Sequence, residues 1–215
     1  MPNINKHETK EHFYARAGMS ARMGFGRKLA VVVIDEQKGL TDPACALGSN
    51  LDSMVENSIV LINAAKKKHV PVIYTVAAFK SDLSDAGVFG KKVHAIKDAI
   101  IGTKWTELDD RLPFDSTTDH LLVKKMQSGF FGTPLLSILA FHEVDTILML
   151  GCSTSGCLRA SVQDGMAYGF RVIVPRECVG DRLREAHESN LFDMDAKLAD
   201  VISLREAVDY LDALP

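Results

Sequence analysis

At 215 residues, 47% hydrophobic and 25% charged, the chain is long enough for one well-filled core, and its length favours one domain over two. A net charge of -3 without a basic stretch excludes a nucleic-acid surface, and no apolar run approaches the roughly 18 residues that span a bilayer. Cys45, Cys152, Cys157 and Cys178 are too sparse for a disulfide framework and form no CxxC pair, so free thiols and no structural zinc are expected.

The N-terminal MPNINKHETKEHFYARAG lacks the apolar core of a signal peptide, which places the chain in the cytoplasm. Residues 1–27 read as a polar arm, with a short helix around Glu8 to Met19, that packs on the core or on a neighbouring subunit; residues 28–215 read as one domain. Leu29 to Ile34 (LAVVVI) is a continuous β-branched run, the pattern of a strand buried on both faces of a parallel sheet, and it ends at Asp35. A loop through Thr41, Asp42 and Pro43 leads to a helix from Leu51 to His69, with apolar residues at helical spacing and a lysine-rich end that suits its dipole. Pro71 then opens a second strand, Val72 to Ala77.

Residues 79–119 are the least regular part, with short helices around Lys91 to Ile100; such excursions often carry substrate-facing residues. A third strand, His120 to Val123, ends at Lys124, and a helix covers Pro134 to His142. Ile147 to Leu150, a helical stretch that stops at Gly169, and Val172 to Val174 outline a βαβ unit. Helices at His187 to Ala199 and Arg205 to Leu211 flank a sixth strand, Val201 to Ser203. Six strands alternating with helices predict a mostly parallel sheet covered on both faces, with ligands beyond the C-terminal strand ends.

Three candidate residues fall at that rim. Cys157 sits near the start of a helix, where exposed N–H groups favour a thiolate, although a small buried cysteine is equally at home as packing. Asp35 suits a turn cap as well as an acid-base role, and Lys124, with Lys125 beside it, suits a solvated strand end as well as a catalytic cation. Together they offer a nucleophile, a proton acceptor and a cation for attack on a carbonyl. The seven histidines form no HExxH and no close pair with metal-ligand spacing, and GLTDPA and GFFGTP are turn chemistry rather than phosphate loops, so no metal, nucleotide or flavin is expected.

VVVIDEQKGLTDP with Asp35, VKKMQSGFFGTPL with Lys124, and LGCSTSGCLRASVQDGMAYGFRVIVPRECVGDR with Cys157 resemble the three motifs of the isochorismatase-like cysteine hydrolases. GCSTSGC, VPRECVGDR and NLFDMDAKLADV look most similar to the N-carbamoylsarcosine amidohydrolase and maleamate amidohydrolase branch. The resemblance implies a three-layer α/β/α sandwich, Rossmann-like, with a six-stranded mostly parallel sheet, usually in a homotetramer. It implies a cysteine-dependent amidohydrolase without a cofactor, acting on a small amide or ureido compound with a Cys157, Asp35 and Lys124 triad. It further implies a cis peptide between Cys152 and Ser153, an oxyanion hole from the backbone N–H groups of Ser153 and Cys157, and a grip on the substrate by Ser153 and by Arg182, which would hold a carboxylate. The branch commonly has Thr where this chain has Ser153. Nicotinamidases of the wider family carry an Asp-x-His…His metal site where this chain reads TVAAFKSDLSD, so no metal is implied. A catalytically silent scaffold subunit and a vinyl ether hydrolase are the alternatives; the three candidates occurring together disfavour the first, and Cys157 the second.

Overall fold

A computed structural model describes residues 8–215. A seven-stranded sheet runs through the chain, with its main path in the order β3-β2-β1-β4-β5-β7 and every ladder parallel. Its strands are β1 (Leu29–Ile34), β2 (Val72–Ala77), β3 (His120–Lys124), β4 (Thr146–Cys152), β5 (Arg171–Pro175), β6 (Val179–Gly180) and β7 (Asp200–Ile202). The strand unforeseen in the sequence is β6, which pairs with β4 off the main path. At two residues it is too short to carry any periodic signal, so the expected six strands become seven.

The helices are α1 (Lys10–Arg16), α2 (Lys38–Thr41), α3 (Asp52–Lys67), α4 (Gly87–Lys92), α5 (Leu135–Phe141), α6 (Arg159–Ala167), α7 (Arg184–Lys197) and α8 (Leu204–Asp212). Two differ from expectation. The segment after Asp35, read as a loop, contains the single turn α2, and the excursion helix comes earlier, as α4, followed by a 3₁₀ turn at His94–Asp98. No helix among the described residues is long and apolar enough to cross a membrane.

All of β1 is buried, and alternate residues feed opposite cores. Val31 and Val33 pack with α3 and α8 through Leu61, Ile62 and Leu211; Val32 and Ile34 pack with α5, α6 and α7 through Leu139, Val162 and Met194. Full burial of such a side chain is worth about 1.5–3 kcal/mol, so the central strands are anchored from both faces. The helix α3 is long because it has no glycine or proline and places Met54, Val55, Ser58, Leu61, Ile62 and Ala65 on one buried stripe. It ends where His69 takes a left-handed φ of 56°. A capping box between Ser203 and Glu206 starts α8.

Residues 1–7 of the expected arm lie outside the described residues. From Thr9, whose hydroxyl caps α1, the chain runs along α7 and β7. The rings of Tyr14 and Phe192 are 5.0 Å apart, and the Met23 and Gly24 N–H groups donate to the Asp200 carboxylate.

The strand order reverses between β1 and β4, which pair in the sheet although β2 and β3 lie between them in the chain. A crevice opens beyond their C-terminal ends at such a point. Asp35 ends β1 on one side of it, and the turn carrying Cys157 leaves β4 on the other.

Candidate active site

Asp35 follows β1 with φ 52°, a left-handed conformation that turns its side chain back toward the crevice. Two bonds to β2 hold it: its N–H donates to the Thr75 carbonyl at 3.1 Å, and the Thr75 hydroxyl donates to Oδ1 at 2.7 Å. Thr75 is completely buried, so that hydroxyl has little choice of partner.

Lys124 reaches the same place from β3, two strands away. Its register partner on β2 is Ala77, so the lysine chain crosses beside a methyl rather than a large side chain. The solvated strand end allowed by the sequence is overturned: Lys124 is 1% exposed. Its ammonium donates to the Met126 carbonyl at 3.0 Å and to Cys157 Sγ at 3.3 Å, and it stands 2.7 Å from Asp35 Oδ2 as an ion pair. Burial works against the charge, but the facing Asp35 carboxylate and Cys157 sulfur outweigh it and hold the ammonium above the ordinary lysine range. The contact at Asp35 Oδ2 is an ion pair without the alignment of a hydrogen bond.

Cys157 lies in a π-type turn, Thr154–Leu158, that precedes α6 and is kinked at Gly156 (φ -125°, ψ -108°). The Cys152–Ser153 peptide that leads into it is cis. Gly151, just before, has φ 105°, and a Cβ there would stand 2.0 Å from the Ile34 carbonyl oxygen, so only glycine lets β4 pass β1 at this point. The turn is pinned from behind: the Thr154 hydroxyl donates to the Gly180 carbonyl at 2.9 Å, Asp181 accepts from the Ser155 N–H at 2.7 Å, and the Ser161 hydroxyl donates to the Cys157 carbonyl at 2.7 Å.

The structure places Cys157 just before α6, as expected from the sequence, and adds that burial opposes a thiolate there. Cys157 keeps some surface toward the cavity, but its sulfur is enclosed. Burial pushes the thiol up to about 12; Lys124 pulls it down, and Asp35 adds to the rise. Burial thus disfavours the thiolate, which the Lys124 ammonium favours.

Asp35 and Cys157 form the floor of a cavity of about 270 Å³. Ser153 and Arg182 line it as well, with Arg182 Nη1 donating to Ser153 Oγ at 3.0 Å and Nε to the Leu47 carbonyl at 2.6 Å. Gln37, at the bottom, spends its amide on the protein: Nε2 donates to the Ala77 and Trp105 carbonyls, and Oε1 accepts from the Ala77 N–H. Among the described residues, no cluster of three His, Cys, Asp or Glu side chains is arranged to hold a metal.

With the geometry in view, comparison with known proteins is direct. The isochorismatase domain model matches residues 29–206. The chain belongs to the isochorismatase family. Over 192 residues, covering 88% of this chain and 90% of the relative, it is 38% identical to a maleamate amidohydrolase of Pseudomonas putida. Over 215 residues, covering 97% of this chain and 80% of the relative, it is 34% identical to an N-carbamoylsarcosine amidase of an Arthrobacter species. A cysteine hydrolase from Pseudomonas syringae superposes with a TM-score of 0.82 at 23% identity, covering 86% of this chain and 93% of that one, and shares its fold.

Within this isochorismatase-family site, sequence reasoning missed Thr75, Gln37 and Ser161. Thr75 left a usable signal, a lone hydroxyl inside the apolar run VIYTVA. Gln37 and Ser161 left none, because a glutamine after a strand and a serine in a helix are ordinary until their partners are known.

Proposed function

We propose that this chain is a cysteine-dependent amidohydrolase that releases ammonia from a small carboxylate-bearing amide or N-carbamoyl compound, resembling maleamate or N-carbamoylsarcosine. The observation that carries this reading is the buried Lys124 ammonium, ion-paired with Asp35 and hydrogen-bonded to Cys157, the two residues that line the bottom of the cavity. A thiol raised by burial is unreactive until a base takes its proton, and the Asp35 carboxylate stands beside it. The names of the two relatives above 30% identity support the substrate class.

In this mechanism Asp35 takes the Cys157 proton as Sγ attacks the carbonyl carbon. The backbone N–H groups of Ser153 and Cys157 hold the oxyanion, and Lys124 balances the charge that moves between sulfur and carboxylate. Collapse of the adduct breaks the C–N bond, and Asp35 returns its proton to the departing ammonia. A water molecule then gives a proton to Asp35 and attacks the thioester; the second adduct expels Cys157 sulfur, which recovers the proton. Each oxyanion donor of this kind is typically worth about 2.7–4 kcal/mol of barrier. Arg182 grips the substrate carboxylate with the guanidinium edge turned to the cavity, a planar fork that suits a carboxylate.

Cys157→Ala tests the reading. Ammonia release from maleamate and N-carbamoylsarcosine is expected to fall by roughly a thousandfold or more, the scale seen when a covalent nucleophile is removed. Near-parental turnover by the variant would sink the assignment.

A further inference from the structure

Two large apolar clusters fill the faces of the sheet, but a third, smaller one faces the candidate site. It is built around Phe79, Ile96 and Ala99, and all its members except Leu83 and Ala86 line the 270 Å³ cavity. An apolar cluster that spends its free surface on a catalytic crevice, rather than on the fold, is a surface for a ligand.

The cavity is therefore divided. Besides Gln37, its polar lining is Asp35, Gln127, Ser153, Ser155, Cys157 and Arg182. The opposite wall presents Phe79, Phe89, Val93, Ile96, Leu40 and Leu47. The amide of Gln37, which lies beneath, has its donors and its oxygen engaged by the backbone and has none to offer a ligand. The wall is also built to stay in place. Phe79 exchanges backbone bonds with Ala99 and Ile101 at 2.9 Å each, and Lys125 ties the intervening loop through Asp85 at 2.7 Å.

We propose that the natural substrate is an amide or ureido acid whose carbon skeleton carries an apolar side group, and that Phe89, Val93 and Ile96 form the subsite that selects it. This rests on the amidohydrolase reading and narrows it. A compact amide acid occupies the polar end and leaves the wall against water. An alkyl or aryl side group fills the wall, at a gain of about fourfold in kcat/KM for each methylene buried. A second charge set against these apolar side chains loses its water and is disfavoured.

Matched pairs test this with the intact protein: N-carbamoylglycine against N-carbamoyl-leucine, and succinamate against 2-isobutylsuccinamate, with N-carbamoyl-aspartate as the polar control. Within whichever pair is turned over, the branched member is expected to exceed the plain one in kcat/KM by on the order of tenfold or more, and the aspartate derivative to fall below both. A ratio of one or less overturns the apolar subsite while leaving the amidohydrolase reading intact. No ammonia from any of these compounds, nor from maleamate, overturns the amidohydrolase reading instead. Phe89→Ala should lower the branched-to-plain ratio by roughly fourfold or more; an unchanged ratio in a variant that unfolds at the parental urea midpoint rejects the role given to Phe89. Val93→Ala, on the same wall, supplies the same measurement if Phe89→Ala does not fold.

Discussion

The floor of the cavity hangs from the ends of β1, β3 and β4, and its polar groups find their partners in one another: Asp35 with Thr75 and Lys124, Lys124 with Cys157. The apolar wall is carried mainly by the excursion after β2, on a one-and-a-half-turn helix and a 3₁₀ turn, with Leu40 and Leu47 added from the segment before α3, and its side chains touch the cavity through non-directional contact. Directional bonds between buried groups fix geometry at high cost when broken. Dispersion and burial tolerate exchange of shape. The difference teaches where each property of the site resides: substitutions on the floor should remove chemistry and stability together, and substitutions on the wall should change which substrate is preferred.

Lys124→Met would break the floor most severely. It leaves the Asp35 carboxylate buried without its cation, a loss of about 3–5 kcal/mol for a pair of this kind, and ammonia release should disappear with it. Urea unfolding and an ammonia assay read the two effects separately. The double variant Asp35→Asn/Lys124→Met removes both charges and should regain much of the stability while remaining inactive. If the single variant unfolds at the parental midpoint, the pair does not anchor the floor.

A smaller effect sits one residue beyond Asp35. Glu36 is fully buried, accepts a 2.7 Å hydrogen bond from Ser58 at Oε1, and has no partner for Oε2. Burial pushes its carboxyl from the ordinary 4.5 up to about 8, with Ser58 pulling it down and Asp109 adding to the rise. Between those two values the folded chain binds a proton that the unfolded chain has released. Stability from this group is therefore complete below the unfolded value and is lost as pH rises toward about 8. The loss across that window is on the order of a few kcal/mol. Urea midpoints from about pH 5 to about pH 9 should fall with rising pH in the parent and fall less in Glu36→Gln, by the share this carboxyl supplies. Equal slopes would mean that Glu36 titrates normally, and that the space beneath Asp35 is wetter than its burial indicates.

Floor and wall were unequally legible in the sequence, for the same physical reason that they behave differently. LAVVVI and ILML are continuous apolar runs, so their ends could be found and Asp35 and Cys157 placed at one rim. Lys124 could be placed at a strand end, but its burial could not, because burial depends on Ala77 and Asp35 being across the sheet from it. The enclosure of Cys157 was hidden for the same reason: position along a helix is local, whereas burial of a sulfur is not. The wall was visible only as an irregular excursion, since Phe79, Phe89, Val93 and Ile96 follow no single period and meet only when the 3₁₀ turn folds them back.

The smallest expected effect lies where floor and wall meet. Arg182 Nε holds the Leu47 carbonyl, and Leu47 belongs to the apolar cluster; Arg182 Nη1 holds Ser153 on the polar side. Arg182→Lys keeps the charge but loses the fork, so one ammonium must choose between these protein contacts and a substrate carboxylate. Loss of a charge-assisted bond of this sort predicts a rise in KM of roughly tenfold for carboxylate-bearing amides. An amide lacking the carboxylate should show little change in KM, while kcat for both stays near the parental value because Cys157 and Asp35 are untouched. A KM that moves equally for charged and uncharged amides would mean that Arg182 acts by holding Leu47 and Ser153 in place, a brace between floor and wall rather than a grip on the acid.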